Sequence, residues 1–122
     1  MQLDFNDERP IYLQLAEVIE DAILRGIFQE ETQIISTTEI SVKYKINPAT
    51  AGKGVNILVD EGVLYKKRGL GMFVSSGAKE RILKKRRDSF RLRFILPLMD
   101  EASKLSITKE EIIAMIEGSK GE

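Results

Sequence analysis

The chain has 122 residues, 43% of them hydrophobic, with 19 basic and 19 acidic side chains and hence no formal net charge. That length suits one domain with a small appendage, and the hydrophobic fraction is that of a folded chain rather than a disordered one. Cysteine and histidine are both absent, which excludes disulfides, cysteine metal sites and the commonest general base.

The N-terminus "MQLDFNDERP" is acidic and lacks an apolar core, so no signal peptide is expected. No apolar run approaches the ~20 residues that a membrane helix needs. A soluble cytoplasmic protein with no membrane partner is the simplest expectation. The zero net charge hides an asymmetry. Residues 1–42 carry 2 basic and 9 acidic side chains, residues 43–93 carry 14 and 4, and residues 94–122 carry 3 and 6. A basic middle between acidic ends suits a surface that faces a polyanion.

The first periodic segment is "PIYLQLAEVIEDAILRG", where Ile11, Leu15, Val18, Ile19, Ala22 and Ile23 recur at three- and four-residue steps. Pro10 suits the first helical position and Gly26 the C-terminal stop. In "IISTTEISVKYK", Ser36 and Glu39 form a capping box, with Ile35 and Ile40 as its hydrophobic staple. A third helix follows almost at once. Asn47 caps it, Pro48 takes its first position, and Ala51, Val55 and Leu58 make its buried stripe. Two helices this close in sequence have the spacing of a helix-turn-helix.

"GVLYKKRGLGMFVSS" changes period and predicts strands over Val63 to Lys67 and Met72 to Val74, joined through Arg68-Gly69-Leu70-Gly71. From Ala78 the chain is helical again, first basic and then amphipathic, with Phe90, Phe94, Leu98, Ala102 and Leu105 at near-helical intervals. Pro97 must kink or break this helix, because it lacks a donor and crowds the carbonyl four residues earlier. Thr108 and Glu111 form a second capping box, with Ile107 and Ile112 as its staple. The expected class is mainly α with a small β-hairpin wing. A winged helix-turn-helix over residues 1–76 precedes an α-helical dimerisation tail over 77–122.

A helix-turn-helix works by laying the N-terminal part of its second helix in the major groove of DNA. With Ala51, Val55 and Leu58 inward, Ala49, Gly52, Lys53 and Asn56 face outward. Asn56 can pair with base edges, Lys53 can reach phosphate or guanine, and Thr50 can donate to phosphate. Gly52 on that face would let the backbone approach the duplex, while Gly54 on the inner face would let the second helix approach. In the hairpin, Lys66, Lys67 and Arg68 precede a narrow tip at Gly69, which suits a minor groove or a phosphate strand. Ser36, Thr37 and Thr38 combine capping with a candidate phosphate contact. The tail is too short for a core of its own, and its row of large apolar residues, extended by Ile112, Ile113 and Ile116, calls for a partner. Packing on the first helix is one outlet. A second copy is the other, and a two-fold dimer would predict a palindromic operator.

"PIYLQLAEVIEDAILRGIF" and "INPATAGKGVNILVDEGVLYKKRGLGMFV" closely resemble the winged-helix domain of the GntR family of bacterial transcription regulators, from about Pro10 to Val74. "INPAT" with Lys53 is similar to the YtrA subfamily, and "DEASKLSITKEEIIAMIE" resembles that subfamily's two-helix dimerisation tail. The resemblance implies a homodimeric regulator, usually a repressor, often of transporter genes. It implies DNA contacts from Ser36, Thr38, Asn47, Pro48, Ala49, Thr50, Lys53, Arg68 and Gly69. Several positions depart from the family pattern. Ile35 replaces a proline, Glu31 a turn glycine, Thr38 an arginine that commonly touches DNA, and Met72 a wing threonine. Gly52 and Gly54 replace larger residues. These departures imply a weaker or differently specific contact. The expected partners are double-stranded DNA and a second copy of the chain, with no cofactor and no metal, and any small-molecule effector is unspecified. The competing expectation is a winged-helix protein-interaction module that has lost DNA binding. An enzyme is not expected, since no nucleophile–base pair and no phosphate-binding glycine loop is evident.

Overall fold

The structure, a computed structural model, describes residues 2–119. Its elements are α1 (Ile11–Leu24), α2 (Thr37–Tyr44), α3 (Pro48–Asp60), β1 (Leu64–Lys67), β2 (Gly71–Val74), α4 (Ala78–Phe90), a π-helical turn (Arg91–Ile95), α5 (Leu96–Lys104) and α6 (Lys109–Gly118). The architecture is that of the sequence expectation: three helices, an antiparallel hairpin, then helices. Packing divides it between Lys84 and Lys85 into two compact units.

In the N-terminal unit the stripes predicted from periodicity meet in one core. Leu15, Ile19 and Ile23 of α1 pack with Ile40 of α2, with Ala51, Val55 and Leu58 of α3, and with Val63, Leu64, Val74, Ala78 and Ile82. Pro10 is the N-cap of α1 rather than its first helical residue, and its carbonyl accepts from Leu13 and Gln14. The buried Gln14 side chain ties the preceding arm to the helix. It accepts from the Asp4 N–H at 2.8 Å and donates to the carbonyls of Asp4 and Arg9 at 3.0 Å.

α2 starts with the expected capping box, the Ser36 hydroxyl accepting from the Glu39 N–H at 3.0 Å. It ends at Lys45, whose left-handed backbone (φ 54°) turns the chain into α3. Asn47 then caps α3 through Oδ1, which accepts from the Ala49 N–H at 2.7 Å. β1 and β2 pair antiparallel with Leu64 opposite Val74 and Lys67 opposite Gly71.

A third, short edge was not expected. Gln33 bridges Phe73, the Ile34 N–H donates to the Met72 carbonyl, and the Val74 N–H donates to the Thr32 carbonyl. The polar residues "TQ" have no strand periodicity, so only the partner reveals this edge. Just before it, Glu31 holds φ 64°, the left-handed conformation a turn glycine would adopt. Its neighbour Glu30 caps α4 from a distance. Its carboxylate accepts from the Gly77 N–H at 2.8 Å and the Lys79 N–H at 3.3 Å. These two amide donors, Gly77 first, hold the Glu30 carboxyl below its ordinary value.

Gly54 lies where α1 and α3 cross. A Cβ there would meet the Tyr12 carbonyl at 2.9 Å and the Leu15 side chain at 3.0 Å. The helix that approaches is therefore α1, not the second helix expected from sequence. Gly52 has room, since its Cβ would meet only the Thr37 methyl at 4.0 Å.

In the C-terminal unit, Pro97 does not break the helix. Phe90, Ile95 and Leu96 keep helical angles, and the π turn closes with the Leu96 N–H on the Arg91 carbonyl. This wider turn ends two residues before Pro97, which cannot donate. α5 ends at Leu105, followed by a left-handed Ser106, and α6 opens with the expected Thr108–Glu111 capping box.

Two substitutions with the same nominal helix gain should act in opposite directions. Gly52→Ala should stabilise by roughly 0.5–1 kcal/mol through helix propensity. Gly54→Ala should destabilise by roughly 1–3 kcal/mol, because a backbone oxygen cannot swing aside. Urea titration of both variants checks this. A second expectation concerns pH. A depressed folded pKa contributes stability that is present above the ordinary glutamate value of 4.5 and is lost as pH falls through the folded value. Glu30→Gln should therefore unfold at lower denaturant than the parent at pH 7, with the gap closing as pH falls below the ordinary glutamate value.

Candidate nucleic-acid interface

α3 presents Pro48, Ala49, Lys53 and Asn56 to solvent, with Thr50 and Gly52 half-buried. No carboxylate occurs along this helix before Asp60. Its first turn therefore presents the positive dipole end to an anion without a competing acidic side chain, with the Ala49 amide already held by the Asn47 cap. Two of the expected contact residues are partly committed. Ser36 and Asn47 each spend a side-chain oxygen on a cap. Ser36 and Thr38 are exposed at the start of α2, and Thr37 is half-buried beside Gly52. Gly52 is thus less fully outward than the helical wheel implied, since the α2 start flanks it.

The Lys53 ammonium lies 4.1 Å from the centroid of the Tyr12 ring. Tyr12 was read from sequence only as part of the first helix. Nothing in the local pattern marks this contact, which joins residues 41 positions apart in the chain.

In the wing, Lys66, Lys67, Arg68 and Gly69 are all exposed, but the pleat separates the two lysines. Lys66 pairs with Met72 and shares the face of the buried Leu64, whereas Lys67 shares the face of Tyr65 and Phe73. Strict two-residue alternation would have separated them from sequence. Tyr65 and Phe73 stack across the strands with centroids 5.9 Å apart, and the Lys67 ammonium sits 4.4 Å from the Phe73 ring. The Tyr65 hydroxyl donates to the Glu31 carboxylate at 3.0 Å. Partial burial, and then this carboxylate, push Tyr65 above the usual phenol value. The wing tip is held from outside the hairpin as well. The Gln33 side-chain amide donates to the Leu70 carbonyl and lies against Gly71 (φ 119°), where a Cβ would meet it at 2.8 Å. Gln33 and Glu31 are the wing-supporting residues that sequence reasoning missed.

The tail residues lie apart from this surface in the chain. Phe90, Phe94, Leu98, Leu105, Ile113 and Ile116 are 42–63% exposed, Ile112 is half-buried, and Ala102 is buried. Among the described residues of its own unit the row is thus left largely uncovered. Leu98, Ala102, Leu105, Ile112, Met115 and Ile116 line an open apolar groove of about 290 Å³. Among the described residues, no cluster of acidic side chains could hold a metal ion and no helix is long and apolar enough to cross a membrane.

No family model matches the chain. Among curated proteins it is similar to the HTH-type transcriptional regulator YurK of Bacillus subtilis (strain 168), with 32% identity over 66% of this chain and 34% of YurK. The chain thus spans about a third of that relative's length. The HTH-type transcriptional repressor YtrA of the same organism is 26% identical over 98% of this chain and 97% of its own. Among solved structures, a GntR family regulator from Bacteroides thetaiotaomicron is 36% identical, with a TM-score of 0.70 over 88% of this chain and 94% of that one. The AraR DNA-binding domain, solved in complex with operator ORX1, is 27% identical with a TM-score of 0.55, covering 62% of this chain and 99% of its own.

Proposed function

Because the chain belongs to the GntR family of transcription regulators, on the short plan of YtrA, we propose that it is a cytoplasmic repressor. It binds a palindromic operator as a homodimer and represses by occluding the promoter. The observation that carries this reading is the first turn of α3. It is capped by Asn47, free of carboxylates, and opens on Pro48, Ala49, Thr50 and Lys53. In this reading Ser36, Thr37, Thr38 and Asn47 flank the groove contact made by Ala49, Gly52, Lys53 and Asn56. Phosphate contacts from Lys53, Lys66, Lys67, Arg68 and the Gly69 backbone set affinity, while the α3 side chains set sequence preference. The small outward face favours close backbone approach and suits a specificity built on few side chains. A division by function into residues 1–76 and 77–122 belongs to the same proposal. The division by packing falls later because Ala78 and Ile82 sit in the N-terminal core.

The apolar row of the tail supports a second copy as its partner. An exposed apolar face of this extent is the form of an interface, and an isologous dimer would present two α3 helices to successive turns of DNA. The departure at Thr38 favours a second reading, a protein-interaction module with little DNA affinity.

Three experiments separate these readings. Selection from random duplexes should return a two-fold site with half-sites about one helical turn apart. In anisotropy titrations, replacing Lys53, Lys67 and Arg68 with alanine in both protomers should reduce the slope of log K against log salt by roughly 5. A wild-type chain that binds no duplex even at low salt removes the repressor reading and leaves the adaptor. Glutamate at Ile113 and Ile116 should convert the dimer to monomer in sedimentation equilibrium, with loss of binding to the two-half-site duplex. A wild-type monomer at operator-binding concentrations contradicts the dimer.

A further inference from the structure

The two lysines that face outward from α3 and from the wing share a feature. Lys53 lies 4.1 Å from the Tyr12 ring and Lys67 lies 4.4 Å from the Phe73 ring. Both cations are thus backed by an aromatic face, whose negative quadrupole attracts an ammonium. At position 53 the ring comes from α1, outside the helix-turn-helix.

The encounter has a traceable cause. Gly54 has no side chain, so the Tyr12 carbonyl and the Leu15 side chain approach α3 to distances a Cβ would forbid. That closeness sets Tyr12 beside the residue preceding the glycine. Tyr12 is half-buried and Lys53 exposed, so packing anchors the ring while the ammonium keeps an open side. A lysine on its flexible four-carbon stem loses much rotamer freedom when it is fixed on a ligand. One already held against a ring loses less, and the saving appears as affinity.

We propose that Tyr12 is a positioning residue for DNA binding, holding the Lys53 ammonium at the reading surface across the gap that Gly54 provides. This rests on the DNA-binding reading above. Tyr12 needs no contact with the duplex, because its effect passes through Lys53.

A double-mutant cycle in the full chain tests it, with the selected duplex as probe. Tyr12→Leu should weaken binding of the dimer about four- to twenty-fivefold, two- to fivefold for each of its two exposed cation–π pairs, and leave the salt slope unchanged. Tyr12→Phe, which keeps the ring, should bind like the parent. Lys53→Met, which removes one cation from each protomer of the dimer, should lower the salt slope by about 1.8, and in that background Tyr12→Leu should cost nothing further. By NMR the Lys53 ε-protons should lie upfield in the parent and in Tyr12→Phe, and move downfield in Tyr12→Leu. Tyr12→Met serves as a second ringless variant if leucine at this position unfolds the chain. Equal losses from Tyr12→Leu in both backgrounds, no loss in the parent background, or an equal loss from Tyr12→Phe would each overturn the role of Tyr12 while DNA binding stands. A parent chain that binds no duplex overturns the DNA-binding reading itself.

Discussion

The crossing of α1 over α3 is the contact on which the rest of the N-terminal unit depends. Leu15, Ile19 and Ile23 supply one side of it, and Ala51, Val55 and Leu58 the other. At its centre Gly54 removes the one side chain that would hold the helices apart. Close packing there fixes the face on which Lys53 and Asn56 emerge. α2 is held to the same core by Ile40, and the wing leaves α3 through the buried Val63, whose N–H donates to the Leu58 carbonyl at 2.8 Å. A helix propensity cost of roughly 1 kcal/mol at Gly54 is therefore exchanged for the placement of a surface.

The uneven charge along the chain acquires a structural meaning from the hydrogen bonds. Several acidic residues of the first 42 positions are engaged in local construction. Glu17 pairs with Arg9, Glu30 caps α4, Glu31 accepts from Tyr65, and Glu39 completes the α2 capping box. Those carboxylates serve amides, a guanidinium and a phenol in the framework. The outward face of α3 and the wing then carry cations with few carboxylates among them. That is the local field a polyanion meets, whatever the total charge.

The tail shows the opposite economy. Its helices are well capped and its backbone absorbs Pro97 through a π turn, yet almost all of its large apolar side chains stay exposed. Helices this short are marginal alone, because most helical stability comes from burying an apolar face. The capping boxes define where α6 starts, and the apolar row defines what remains to be covered.

Local chemistry determined much from the sequence alone. The capping boxes at Ser36 and Thr108, the Asn47-Pro48 start and the apolar stripes of α1 and α3 emerge as expected, and the two glycine-linked strands do so with starts shifted by one residue, to Leu64 and Gly71. Each of these signals acts over a few residues, so neighbours in the chain suffice to show it. At Glu31, where the family resemblance implies a turn glycine, the backbone is left-handed. Tertiary structure decided the rest. It made α1 the helix that Gly54 admits, set Lys53 on the Tyr12 ring, made Glu30 a distant cap, and brought Gln33 to the wing tip. Those outcomes depend on which groups from remote parts of the chain come within a few ångströms. Periodicity and capping rules carry no information about such distances, because they describe one element at a time.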